Sequence, residues 1–233
     1  MKRFYTSVDL APVDGGIAVR LDGRQVKTPS KRALCVPTEG MADAIAAEWR
    51  AQGDEVDILS MRLTRLANTA IDRVADRRDA VVDEIARYAE TDLVCYRTAM
   101  PAALSDRQKE LWDPLLDWLR GRYGATLTVT DAVLPLDQPP ASLEALRAAV
   151  SAFDHFSLSG LHSVTVACGS VVIGLAVAEG RVGGDDAWAA SLVDESYQIE
   201  QWGEEAEAAK RRALLRQDIA AAARFLALGR RAA

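Results

Sequence analysis

Carboxylates are the groups in this chain whose type and placement come nearest to chemistry. Asp92, Glu195 and Glu200 could form an acid/base pair, one donating a proton while another accepts it, provided the fold brings two of them together. No nucleophile motif accompanies them. The two histidines, His155 and His162, have no Cys-x-x-Cys or Glu-x-x-His spacing beside them, so neither a metal centre nor any other cofactor is expected. Asp14-Gly15-Gly16 and Gly183-Gly184-Asp185 lack the strand, glycine, lysine and helix order that cradles a nucleotide phosphate, and read as turns. Cys35, Cys95 and Cys168 lie far apart among apolar residues, the setting of reduced thiols that pack as small hydrophobes. An enzyme using carboxylates in a helical cleft on a small molecule is therefore the weaker functional class.

A recognition surface is the stronger one. From Val182 to Ala209 there is no Lys or Arg, while Asp185, Asp186, Asp194, Glu195, Glu200, Glu204, Glu205 and Glu207 all occur. Read as a helix, Trp188, Leu192, Ile199, Trp202 and Ala206 share a stripe, with Glu195 in its remaining slot. A carboxylate there must find a donor within the fold, reach water at a helix edge, or meet a partner's cation. Arg211 can pair with Glu207 four residues earlier, which leaves an acidic face. Trp202 precedes Gly203, a residue that costs a helix about 1 kcal/mol relative to Ala and marks a kink or a close backbone approach. As a single residue Trp202 is expected in the core, although tryptophan is also enriched at interface hot spots.

The elements that must position these groups fall into two regions. Ile17, Val19 and Leu21 alternate into the Asp22-Gly23 hairpin signal, Val26 and Thr28 follow, and Ala33 to Val36 gives another short strand. Pro37-Thr38 opens a helix to about Gln52 with Met41, Ile45 and Trp49 inward. Leu66 to Val74 predicts a second helix, and Val82, Ile85, Ala89, Leu93 and Tyr96 a third, with Asp92 as a solvated or ion-paired residue at its margin. A further helix spans Gln108 to Tyr123, with Pro114 starting or kinking it. Thr126 to Thr130 reads as extended, and Pro135 to Pro140 as linker-like. His155 to Ala178 carries no Asp, Glu, Lys or Arg, but its serines and glycines and its lack of basic flanks argue for a buried helix or helix pair, with strand as the alternative. Helices resume at Ser142, and the last runs from Glu204 to Leu228 with Leu214, Ile219 and Phe225 as core contacts. The fold class expected is α+β: an N-terminal β-rich domain with one or two helices over residues 1–78, then a mainly helical C-terminal domain over 79–233.

With 233 residues the chain can bury a core without metals or disulfides. A net charge of −6 and a sequence pI near 5.1 argue against a broad nucleic-acid-binding surface. No secretory, transit or stable membrane-inserting segment is expected, which suggests a cytoplasmic protein that is monomeric when free.

Several separate segments together resemble the assembly chaperones of the ATP synthase F-one sector that attend the alpha subunit. They include Arg3-Phe4-Tyr5, Asp22-Gly23-Arg24 with Lys27-Thr28-Pro29, Leu34 to Pro37, Ala47-Glu48-Trp49 with Gln52, and Met61 with Leu63-Thr64 and Asn68. Tyr88, Asp92-Leu93, Cys95-Tyr96-Arg97 and Gln108 with Trp112-Asp113-Pro114-Leu115 continue the series, and Asp194-Glu195, Tyr197-Gln198, Trp202-Gly203-Glu204 and Glu207 end it. Glu205 stands where the family more often has Asp. The resemblance implies a chaperone, not an enzyme, that binds unassembled alpha subunit and prevents its aggregation until beta subunit replaces it. It would act in the bacterial cytoplasm, or in the mitochondrial matrix for a mature eukaryotic form. Under it, Glu195, Tyr197, Gln198, Trp202, Glu204, Glu205 and Glu207 are the expected partner-binding residues, with Trp49, Asp92 and Gly203 as structural support.

Overall fold

Two glycine-containing turns fold the first strands back on themselves. In the computed structural model, which describes residues 1–132, 134 and 136–230, β1 (Val8–Val13) and β2 (Gly16–Leu21) pair antiparallel from Val8 opposite Leu21 to Val13 opposite Gly16. Gly16 has φ +151°, and a Cβ there would strike the Val36 carbonyl, so only glycine fits. Asp22 and Gly23 both have positive φ, the geometry of the hairpin turn that the sequence signals. They lead into β3 (Arg24–Gln25), while β4 (Cys35–Val36) pairs with the other half of β2. The Asp22 carboxylate accepts from the backbone N–H and hydroxyl groups of Thr6 and Ser7, which lowers its pKa to about 2.

Helix α1 (Glu39–Arg50) starts at Thr38, whose hydroxyl oxygen accepts from Met41 N. It presents Met41, Ile45 and Trp49 to a core shared with Val19, Leu34 and Val36. Helix α2 (Arg62–Thr69) runs into one wider turn, Ala70–Val74, followed by α3 (Arg78–Arg87). The helical region continues with α4 (Ala102–Tyr123), α5 (Pro140–Ser151), α6 (His155–Cys168), α7 (Val171–Ala178), α8 (Gly184–Ser191), α9 (Val193–Trp202) and α10 (Ala206–Gly229). The molecule is thus α+β, a small antiparallel sheet followed by a larger helical region.

The uncharged segment is a helix pair. Every residue of α7 is buried, so the segment needs no amphipathic pattern and shows none. Close approach occurs at Gly174, where a Cβ would meet the Thr165 hydroxyl, and at Gly160, which faces Leu226 of α10. Around this pair lies the larger core, including Trp112, Leu119, Leu146, Leu158, Leu161 and Ile173. Phe156 of α6 and Phe225 of α10 instead reach into the N-terminal core, so the last helix is packed into both regions.

Three expectations need correction. The third helix stops at Arg87 and is replaced by two short 3-10 turns, Tyr88–Thr91 and Leu93–Cys95. Between them Asp92 adopts an extended backbone, which sends Tyr96 into a parallel bridge with Thr130. Pro114 does not start a helix but lies inside α4, where buried Trp112, Leu115 and Leu119 hold the flanking turns in the core. Leu214 is 55% exposed, because α10 turns Ile219, Ala222, Phe225 and Leu226 inward and leaves Leu214 off that stripe. Of the expected linker, Pro135 lies outside the described residues.

Candidate functional site

The acidic segment is not one continuous helix. Leu192 takes φ −120° and ψ 25°, breaking α8 from α9, so the single stripe from Trp188 to Ala206 does not exist and Glu195 does not occupy an apolar slot. Its side chain is 44% exposed and stands 3.6 Å from Arg212 Nη1 on α10. The donor within the fold, one of the alternatives open from the sequence, is therefore realised, together with access to water. Arg212 is the hub that sequence spacing missed. Its guanidinium, 14% exposed, reaches Glu204 through Nε at 3.2 Å, donates to Ser196 Oγ at 3.3 Å and stacks over the Trp188 ring at 5.1 Å. Arg216 covers the same ring at 5.1 Å and holds Asp185 at 2.9 Å.

Helix α4 neutralises the other flank of α9. Arg107 binds Glu200 at 2.6 Å and lies over the Tyr197 ring at 5.3 Å. The hydrogen bond from Arg107 holds the Glu200 carboxyl below its ordinary range. Gln108, buried, donates to Asp194 at 2.6 Å and accepts from Thr98 N at 2.8 Å. Next to it, Trp112 donates to the Ala190 carbonyl at 2.8 Å. The cations absent from the segment's own sequence are thus supplied by α4 and α10, so much of the expected acidic face is neutralised. Those helices are distant in sequence, and only the chemistry of Lys210-Arg211-Arg212 and of Arg107-Gln108 hinted at the role.

What stays open is narrower than the sequence suggested. Asp186 accepts from Gly183 N at 3.1 Å, and Glu207 meets Arg211 at 3.8 Å in solvent. Glu205 is the one acid of the segment whose carboxylate has neither a hydrogen-bond nor an ion-pair partner among the described residues. It lies in the link between α9 and α10 beside Gly203, whose φ is +83°. That glycine terminates α9 and leaves Trp202 79% exposed, which overturns the expected core position of this tryptophan. Gln198 is exposed as well, while Tyr197 is half-buried under Arg107. Trp202, Glu205, Gln198 and Glu207 are therefore each exposed, while Glu195, Glu204 and Tyr197 are engaged by Arg212 and Arg107.

Trp49 and Asp92 lie outside this surface. Trp49 is a core residue, 6% exposed, edge-to-face with Tyr5 at 5.6 Å. Asp92 is fully buried rather than a solvated margin residue. Its two oxygens accept from Val94 N at 3.2 Å and Val172 N at 3.1 Å, which caps a 3-10 turn and the start of α7 at once. Burial pushes its pKa up to about 6 despite those bonds. A carboxyl with no exposed surface cannot meet a substrate, so no catalytic cleft unites it with Glu195. Among the described residues no group of three or more His, Cys, Asp or Glu is placed to hold a metal. Burial also pushes the Cys95 and Cys168 thiols up to about 12, which makes both inert.

Comparison with known proteins bears on the whole chain. The family model described as ATP12 chaperone protein matches residues 2–120, which include α1 to α3 and most of α4 but end before α9. The protein atp12, mitochondrial, of Schizosaccharomyces pombe is 25% identical over 214 residues, 87% of this chain and 74% of its own. Among solved structures, Atp12 from Paracoccus denitrificans superposes with a TM-score of 0.93 at 42% identity, covering 98% of both chains. The Atu1473 protein of Agrobacterium tumefaciens gives 0.93 at 38% identity, over 98% of this chain and 86% of its own.

Proposed function

This chain belongs to the ATP12 chaperone family, and we propose that it binds the unassembled alpha subunit of ATP synthase and keeps it from aggregating until beta subunit takes its place. Beyond family membership, the observation that supports a docking surface is Trp202, largely exposed beside the unpartnered Glu205. A large aromatic side chain left in water with an adjacent free carboxylate suits a partner that offers an apolar recess and a cation. Trp202, Gln198, Glu205 and Glu207 form the contact. Glu195, Glu204 and Tyr197 act at its edge, held by Arg212 and Arg107, and Gly203 sets the direction of the link. Trp49 and Asp92 take no part in that contact and support it only through the fold.

The protein works without catalysis or cofactor, as a monomer when free, in the bacterial cytoplasm, or in the matrix for a mature mitochondrial form. Nucleic acid is not a partner for a chain of net charge −6. No helix among the described residues is long and apolar enough to cross a membrane. A transient chaperone must bind well enough to compete with self-association and still yield to the larger native interface, so moderate affinity is expected.

Size-exclusion chromatography with light scattering, on alpha subunit expressed alone, tests this reading. A defined heterocomplex in place of aggregate is expected, weakened by Trp202→Ala and by Glu205→Lys. Persistent aggregation with folded chaperone present would sink the proposal.

A further inference from the structure

A concavity of another kind lies in the N-terminal region. A groove of about 720 Å³ opens between the start of the chain, the β2–β3 hairpin and α1, with Phe4, Val26, Trp49 and Ile58 among its walls. Its rim is apolar and exposed: Met1 67%, Phe4 63% and Ile58 43%. Phe4, Tyr5 and Trp49 form an edge-to-face ladder at 5.4 and 5.6 Å that leads inward. Contiguous apolar surface rimmed by polar groups marks an interaction site more often than a scatter of single residues does.

The polar atoms of the groove sort into used and unused. The Tyr5 hydroxyl donates to the Trp49 carbonyl, Thr28 to Asp72 and Thr64 to Glu48, and the Asp22 carboxylate is filled by Thr6 and Ser7. Two buried atoms remain without a partner among the described residues, Trp49 Nε1 and Asn68 Oδ1. Neither atom has exposed surface, so both lie behind the wall that the Trp49 ring helps to form. At the mouth, Arg24 and Lys27 are exposed and pair with no carboxylate among the described residues. Asp22 keeps its negative charge, but Arg24 and Lys27 outnumber it, so the mouth is net positive.

We propose that this groove docks an extended segment of a protein client. A bulky apolar side chain enters the groove against Phe4 and the Trp49 ring, and an adjacent acidic side chain meets Arg24 and Lys27. The inference rests on the chaperone reading above for the source of the segment, an unassembled subunit. The client is then held at two places of opposite charge: a basic patch against Glu205 and Trp202, and an acidic, apolar strand in the groove.

Titration of the full chain with the probe peptide Ac-Asp-Leu-Phe-Leu-Asp-NH2, followed by NMR of the five indole N–H groups, tests the groove directly. The resonance assigned by Trp49→Phe is expected to move while the other four stay. Phe4→Asp and Lys27→Glu, both at exposed positions, should each raise the dissociation constant about tenfold, the equivalent of about 1.4 kcal/mol. The charge-reversed peptide Ac-Lys-Leu-Phe-Leu-Lys-NH2 should bind more weakly. A still Trp49 resonance at millimolar peptide, or binding untouched by both substitutions, would overturn the proposal. Equal affinity for N-acetylphenylalaninamide would overturn it too, in favour of a small-molecule pocket. Peptide binding that persists when alpha subunit forms no complex would support the groove and remove the proposed client. An alpha complex that forms while the peptide fails would do the reverse.

Discussion

Removing the Arg212 guanidinium should cost stability chiefly through Glu204 and Trp188 and only slightly through Glu195. The guanidinium is 14% exposed and reaches Glu204, itself 28% exposed, at 3.2 Å, a half-desolvated pair for which coupling of about 1–2 kcal/mol is reasonable. Its stacking on Trp188 at 5.1 Å adds about 0.5–1 kcal/mol. Glu195 lies 3.6 Å from Nη1, and that nitrogen has no hydrogen-bond partner. With its side chain 44% exposed, solvent screening limits this coupling to about 0.5 kcal/mol. Arg212→Met keeps much of the apolar stem and should therefore destabilise by about 2–3 kcal/mol. Urea unfolding of the double-mutant cycles Arg212→Met with Glu204→Gln, and Arg212→Met with Glu195→Gln, separates the two. Equal couplings, or an Arg212→Met cost below about 0.5 kcal/mol, would refute the assignment of Arg212 as the hub. The result also decides how binding data are read. A charge reversal at Glu195 places a cation beside Arg212 and perturbs the fold, whereas Glu205→Lys should change partner binding with stability unaltered.

Three further outcomes are expected. Asp92 has its pKa raised to about 6 by burial, above an unfolded value of about 3.9, so the folded state binds the extra proton and gains stability as pH falls through 6. Relative to Asp92→Asn, the wild type should gain about 1.4 kcal/mol between pH 7.5 and pH 5 in denaturant titrations; a pH-independent difference would rule out the buried titration. Cys95 and Cys168, both buried with thiols pushed up to about 12, should react with a thiol reagent only after unfolding, leaving at most Cys35 to react slowly in the native protein; fast labelling of two or more thiols would contradict the packing. Phe225→Ala should destabilise by about 3–5 kcal/mol, and because Phe225 fills the N-terminal core from α10, residues 1–78 expressed alone should lack cooperative unfolding by circular dichroism.

Local chemistry was legible wherever one element decides its own shape. Asp22-Gly23 and Asp14-Gly15-Gly16 turn as their φ preferences require, Thr38 caps α1, and Met41, Ile45 and Trp49 point inward because a helix repeats every 3.6 residues. The uncharged stretch from His155 to Ala178 forms the buried helix pair, although the β-branched residues left strand open until packing decided. Periodicity misled where a backbone break resets it. Asp92 ends the apparent third helix early, and Leu192 divides the acidic segment. Neither residue type announces a break, since Asp92 depends on the α7 N–H groups that its carboxylate caps.

The residue order alone determined that an acidic, aromatic segment near the C-terminus lacks cations of its own, and that small and apolar residues must build the centre. Which of those acids remain open was decided only by tertiary structure. Arg107, Arg212 and Arg216 come from helices far along the chain and neutralise Glu200, Glu204 and Asp185, leaving Trp202 and Glu205 exposed at a glycine link. Charge along a sequence adds without regard to distance, but Coulombic pairing acts over a few ångströms, and those distances exist only once α4 and α10 have packed against α9.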